Sequence, residues 1–277
     1  MPDTYHPSLT PRELGQHISA LGVKKANTKW WQQVVLGLLA GLYIAFGAQI
    51  FLVALAAGMS KIVAGALFSV ALVLIVLAGA ELFTGNVILV VGAISGHFPI
   101  IRVVRNWSVV YLANFAGAVS AATLIYLAGL TGAASAPTPT GEAALLVASG
   151  KTALSFSEAF IRGIFCNILV ILAILMATMA KDAISKIACI VLPIMTFVAC
   201  GFEHCVANMY LITLGLLTGG VPFVDYTALL ANLLPVTLGN IVGGIFILLI
   251  HPNRIRQLRM LYLGKRASAD SVRDKAS

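Results

Sequence analysis

Charge is scarce in this sequence. Only 10% of its 277 residues are Asp, Glu, Lys or Arg, against about 25% in soluble domains, which excludes an ordinary water-soluble fold. Also missing is the apolar–polar alternation of a membrane β-barrel, whose strands run in segments of about 10 residues. Residues 1–29 have no apolar core after a basic start and do not read as a secretory signal. Cysteine is limited to Cys166, Cys189, Cys200 and Cys205, all in or beside apolar segments and without a C-x-x-C pair. They read as small hydrophobes rather than disulfide partners or metal ligands. No HExxH, no GxGxxG opening a helix and no Walker A is present. An integral-membrane enzyme is the alternative class that those motifs would have marked, and no cofactor is expected.

What the sequence has is length of apolar run. Hydrophobic residues make up 60% of the chain, mean hydropathy is +0.97, and the runs reach the roughly 20 residues that a spanning helix needs. Six spans are placed at 31–57, 62–95, 107–131, 155–180, 185–217 and 226–250. The second and fifth are about 33 residues long, more than one straight crossing of about 30 Å requires at 1.5 Å per residue. Both carry polar residues in their middle, so each is predicted to be two half-helices joined by an irregular break.

The net charge of +8 is explained by topology rather than by nucleic acid. With both termini in the cytoplasm, the inside holds Arg12, Lys24, Lys25 and Lys29, then Arg102 and Arg105, then Lys181 and Lys186, then seven more between Arg254 and Lys275. That is 15 of the 18 basic residues, as the positive-inside rule requires. Outside remain Lys61, Lys151 and Arg162. Three segments follow: a cytoplasmic N-terminal amphipathic helix (1–29), a six-helix membrane domain (30–251) and a basic cytoplasmic tail (252–277). The first is announced by Thr10-Pro11-Arg12-Glu13, a capping box with proline at the first helical position. Leu14, Ile18 and Leu21 then share one face, and the segment is expected to pack on the bundle.

The broken spans match each other. Gly79-Ala80-Glu81-Leu82-Phe83-Thr84-Gly85-Asn86 and Gly201-Phe202-Glu203-His204-Cys205-Val206-Ala207-Asn208 both read G-x-E-x-x-x-x-N before an apolar run. Downstream, Asn114-Phe115-Ala116-Gly117 echoes Asn240-Ile241-Val242-Gly243. Three crossings per half is an odd number, so the two three-helix repeats are inverted, an architecture that recurs among transporters.

A break inside hydrocarbon exposes backbone N–H and C=O groups and is tolerated only where it is buried or lines a cavity. Glu81 and Glu203 precede the breaks, and Asn86 and Asn208 follow them. Their side chains are expected to support the breaks by accepting from orphan N–H groups. His204 is an ionisable residue at the predicted midplane, where such residues usually line a pathway. Its free pKa near 6.5 suits it to exchange a proton near neutral pH; a buried neutral histidine bonded to a carbonyl is the plainer alternative. Thr84, on the matched break, is placed to meet it. Lys151, in an external loop before the fourth span, is either a solvated charge or a cation that concentrates anions at a pore mouth. Gly37, Gly41 and Ala45 form a small-residue stripe on the first span, fit for close packing within the protomer or between protomers.

The two G-x-E-x-x-x-x-N stretches, and Asn232-Leu233-Leu234-Pro235-Val236-Thr237-Leu238-Gly239-Asn240, resemble the signature stretches of the formate/nitrite transporter family, from about residue 10 to 250. The resemblance implies an aquaporin-like all-α membrane fold, a homopentamer in a bacterial or archaeal inner membrane, and one pore per protomer. It implies a threonine–histidine pair at the pore centre (Thr84, His204), a vestibule lysine (Lys151) and two hydrophobic constrictions (Phe68, Leu72, Leu82, Phe83, Phe197). The cargo implied is a small anion of a weak acid together with protons. Formate is the first choice, with nitrite and hydrosulfide as alternatives within the family. Cys205 stands where the family pattern has serine. A water or glycerol facilitator would carry paired Asn-Pro-Ala boxes, and this chain has Phe-Thr-Gly-Asn and Val-Ala-Asn in their place.

Overall fold

The computed structural model describes residues 11–221 and 227–250. The capping box at Thr10, Leu14, the span boundary at Tyr226 and the basic tail from 252 lie outside the described side chains. Helix α1 (Pro11–Asn27) leads into α2 (Trp30–Ala56). The second span follows as α3 (Lys61–Phe68), α4 (Val70–Leu74), a π-helical turn (Ile75–Gly79), a break, a 3₁₀ turn (Gly85–Ile88) and α5 (Leu89–Ile94). Helix α6 (Ile100–Leu127) closes the first half. A hairpin of two-residue strands, β1 (Gly132–Ala133) and β2 (Ala136–Pro137), opens the second half. Then come α7 (Pro139–Thr152), α8 (Phe156–Met179), α9 (Ala183–Ala199), a second break, α10 (Cys205–Thr218) and α11 (Thr227–Ile250).

Five apolar helical stretches of 19 to 28 residues are long enough to cross a membrane. Both predicted breaks exist; the fifth span is divided nearly evenly, into 17 and 14 residues, and the second is not. The first stretch of the second span runs 19 residues, Lys61–Gly79, about 28 Å at 1.5 Å per residue. Only 10 residues, Gly85–Ile94, follow the break. The third span begins at Ile100, seven residues before the expected 107. The external loop expected around Lys151 is instead the helix α7, capped by Thr138 with Pro139 at its first position. Lys151 sits in its last turn.

Large apolar side chains face outward on the long helices: Leu112, Leu124 and Leu192 are each 63% exposed or more. The interior, by contrast, holds ten buried asparagine, glutamate and histidine side chains around the two breaks among the described residues: Glu81, Asn86, Asn106, Asn114, Asn167, Glu203, His204, Asn208, Asn232 and Asn240. A bilayer or neighbouring subunits can cover the first surface, and only internal hydrogen bonds can stabilise the second.

The small-residue stripe packs within the protomer. A Cβ at Gly41 would strike the carbonyl oxygen of Asn114, and one at Gly37 would lie 2.6 Å from the Ala113 Cβ, so the stripe seats α2 on α6. In the second half Gly239 and Gly243 seat α11 equally close on the Phe160 and Ile164 carbonyls of α8. Helix α1 lays Ile18 and Ala26 onto Val87, Ile88 and Leu89, forming a second apolar cluster under the first break.

Candidate functional site

Each break opens on a glycine in the left-handed region, Gly79 at φ +80° and Gly201 at φ +72°, where a side chain would be strained. The preceding helix is closed by a bond five residues back: Ala80 N donates to Ile75 O and Phe202 N to Phe197 O, both at 3.0 Å. The chain then anchors on the neighbouring helix. Glu81 N donates to Leu36 O (3.2 Å) and Glu203 N to Arg162 O (3.3 Å).

Further bonds at the breaks come from two asparagines on α6 and α11. Asn114 Oδ1 accepts from Phe83 N (2.9 Å), while its Nδ2 donates to Gly37 O (2.8 Å) and Glu81 O (2.9 Å). Asn240 repeats the set on Cys205 N (2.9 Å), Gly163 O (2.8 Å) and Glu203 O (2.9 Å). At each break one orphan N–H, Phe83 N or Cys205 N, is thus satisfied by an asparagine, and the carboxylates expected there do something else. Glu81 accepts from Asn86 Nδ2 (2.6 Å) and pairs with Lys25 (2.9 Å). Glu203 accepts from Asn208 Nδ2 (2.6 Å) and pairs with Lys151 through both oxygens (2.9 and 3.0 Å). Asn86 and Asn208 also donate to Asn106 (2.8 Å) and Asn232 (2.7 Å).

Lys25, Asn106 and Asn232 were not singled out as site residues from the sequence. The signal was a constant offset of 126 positions, which relates Lys25 to Lys151, Asn106 to Asn232 and Asn114 to Asn240. Helix α1 is related to α7 by the same offset. The match has gaps. Asn86 Oδ1 accepts from Lys25 Nζ (2.9 Å), whereas Asn208 Oδ1 is buried without a partner.

His204 precedes α10 as its N-cap. Its Nδ1 accepts from Ala207 N at 3.1 Å and its Nε2 lies 2.9 Å from Thr84 Oγ1. An acceptor Nδ1 carries no proton, so the neutral ring has its hydrogen on Nε2 and donates to Thr84. Phe197 lies nearly parallel to the imidazole with centroids 6.0 Å apart, and Phe68 meets Phe197 edge-on at 5.8 Å.

Two cavities approach this pair from opposite ends of α2. One, of about 810 Å³, is lined by Trp31 and Leu36 of α2, by Leu72 and Leu82, and by Lys25 and Glu81. The other, of about 630 Å³, is lined by Phe51 and Leu55 of α2, by Phe68 and Phe197, and by Lys151 and His204. Of the five predicted constriction residues, Phe68 and Phe197 therefore face one cavity and Leu72 and Leu82 the other. Phe83 lines neither. Its ring is turned onto α6, edge-on to Tyr111 (4.9 Å) and Trp107 (6.0 Å).

Interrupted apolar helices, a shared buried polar pair and a cavity at either end define a helical membrane transport protein. Residues 12–252 match the family described as Formate/nitrite transporter, and the chain belongs to that family. It is 39% identical over 255 residues to a probable formate transporter of Methanothermobacter thermautotrophicus, covering 85% of this chain and 92% of that one. It is 36% identical to the formate channel FocA of Haemophilus influenzae, covering 86% and 91%. Among solved structures it superposes on an FNT family ion channel with TM-score 0.76 at 29% identity, covering 85% and 96%. It also superposes on a pentameric formate channel with formate bound, with TM-score 0.71 at 30% identity, covering 84% and 98%.

Proposed function

We propose that the chain is an inner-membrane channel for formate, not an enzyme, working as a homopentamer with both termini in the cytoplasm. The observation that carries this reading is the buried Thr84–His204 pair, with one cavity lined by Phe68, Phe197 and His204 itself and another lined by Leu72 and Leu82. Relatives named formate channels, one of them pentameric, support the cargo and the assembly. The outward apolar side chains supply a surface for neighbouring subunits and lipid. Residues 30–251 form the channel body, and helix α1 works with it because Lys25 pairs with Glu81 at the first break. The segment from 252 is a basic cytoplasmic tail.

A bare anion between apolar rings loses its hydration at a cost of tens of kcal/mol in the idealised limit. The neutral acid avoids most of it. Formate therefore enters a vestibule as the anion, takes up a proton before the rings and crosses as the acid. With Nδ1 engaged by Ala207, His204 holds a single proton, on Nε2. A neutral imidazole that gave up this proton would become an anion in an apolar surrounding. His204 thus serves as a hydrogen-bond donor to the passing acid, alternating with Thr84, and the neutralising proton comes from vestibule water. The test is a substrate panel of formate, nitrite, hydrosulfide and glycerol on purified protein in proteoliposomes at two pH values. Formate uptake above protein-free vesicles, faster at the lower pH and without glycerol flux, is expected. Glycerol permeation in place of formate would overturn the reading. Native mass spectrometry dominated by monomers or dimers would overturn the pentamer.

A further inference from the structure

Three basic residues lie outside under the topology argued above, Lys61, Lys151 and Arg162, and all three line the same cavity. They are far apart in sequence: Lys61 starts α3, Lys151 ends α7 and Arg162 lies in α8. Their electrostatic states differ. Lys151 is bonded to both oxygens of Glu203 at 2.9 and 3.0 Å, with side-chain exposures of 16% and 5%. Seen from several ångströms away, that pair is a dipole with no net charge, and its field falls off faster than that of a lone charge. Lys61 and Arg162 make no side-chain hydrogen bond or ion pair among the described residues. Glu158, one turn before Arg162, acts on it electrostatically but is itself held by the Ser155 cap, at 2.7 Å to Oγ and 2.9 Å to N. Glu142 also lines the cavity. The cavity thus holds three cations and two carboxylates, and one carboxylate is spent on Lys151.

We propose that Arg162, assisted by Lys61 at the rim, is the anion-recruiting group of this vestibule, and that it takes small monovalent carboxylates and similar oxyanions. Lys151, by contrast, belongs to the support of the break. The inference rests on the proposed channel reading for its cargo. Its electrostatic content stands without it. Arg162 touches the break only through its carbonyl oxygen, which accepts from Glu203 N, so replacing the side chain leaves that bond in place. Its planar fork also matches a carboxylate in a way a paired ammonium does not.

The potential can be read without any transport. Gly150 lines the same cavity, is helical, and a Cβ there would meet nothing within 4 Å. In a Cys189→Ala, Cys200→Ala background, Gly150→Cys supplies a thiol whose reaction rates with an anionic and a cationic thiosulfonate are compared. Adding Arg162→Gln with Lys61→Gln is expected to lower the anionic-to-cationic rate ratio about threefold or more at low salt. The difference should vanish near 1 M, where screening shortens to about 3 Å. Arg162→Lys should keep the wild-type ratio. In formate uptake the double variant should raise the half-saturating concentration several-fold at low salt and leave the maximal rate within about twofold. An unchanged rate ratio in the assembled double variant would overturn the assignment. So would an Arg162→Lys protein as impaired as Arg162→Gln. If the wild type carried no formate, the formate reading would fall and the rate ratio would still decide this one.

Discussion

His204 Nε2 and Thr84 Oγ1 stand 2.9 Å apart although 120 positions separate them in the chain. They arrive from the two helix breaks at different positions of the shared motif, His204 where the first break has Leu82 and Thr84 where the second has Val206, and each break is held by an asparagine of α6 or α11. The pair is therefore placed by the repeat and not by its local sequence.

Thr84→Val removes the hydroxyl at nearly constant volume. His204→Asn keeps an N-cap able to accept from Ala207 N but does not reach Thr84. Formate uptake should fall about tenfold or more in His204→Asn, the equivalent of about 1.4 kcal/mol, and less in Thr84→Val. Uptake in proteoliposomes, with assembly checked by gel filtration, makes the comparison.

The sign of the pH dependence separates the two roles open to His204. If the neutral acid crosses and His204 stays neutral, uptake rises as pH falls from 8 to 5, and His204→Asn lowers the whole curve without flattening it. A flat profile in His204→Asn would mean that the imidazole itself titrates during transport.

Asn240→Ala leaves Cys205 N and the Glu203 carbonyl without partners in an apolar surrounding. At about 1 kcal/mol or more for each unsatisfied group, stability should drop by about 2 kcal/mol or more. Asn114→Ala should match it, because it orphans the corresponding two groups. Thermal unfolding in detergent reads both.

Lys25→Met strips the partner from Glu81, whose side chain is 9% exposed. Breaking a buried pair costs about 3–5 kcal/mol, while replacing both members is far milder. Lys25→Met with Glu81→Gln should therefore recover most of the stability lost in Lys25→Met. A double variant no better than the single would show that the pair is not the source of the loss.

Gly41→Ala drives a methyl into the Asn114 carbonyl and within 2.8 Å of Ala118 N. Backbone cannot yield as a flexible side chain can, so a loss of about 1–3 kcal/mol is expected from overpacking. Because α2 and α6 belong to one protomer, protomer unfolding should shift first in a melting curve followed by both helicity and oligomer size.

By itself the sequence determined the lipid-compatible helices, since length and hydropathy of a run are local and the bilayer reads them directly. It also determined the two breaks, because Gly79 and Gly201 supply a backbone conformation that other residues resist, and the G-x-E-x-x-x-x-N spacing repeats it. The likeness to the formate/nitrite transporters was legible in those same stretches. What only the tertiary structure decided is who bonds to whom. Glu81 and Glu203 look like caps in one dimension, yet Asn114 and Asn240 reach the orphan groups and the lysines of α1 and α7 take the carboxylates. Phe83 has the same composition signal as Phe68 and Phe197 but turns toward Tyr111. Lys151 carries the charge of a free vestibule cation until Glu203 is brought within 2.9 Å. Partners 31 or more positions apart depend on how helices cross, and a side chain's direction depends on which neighbour arrives first to fill the space. Neither is written in the local run of residues.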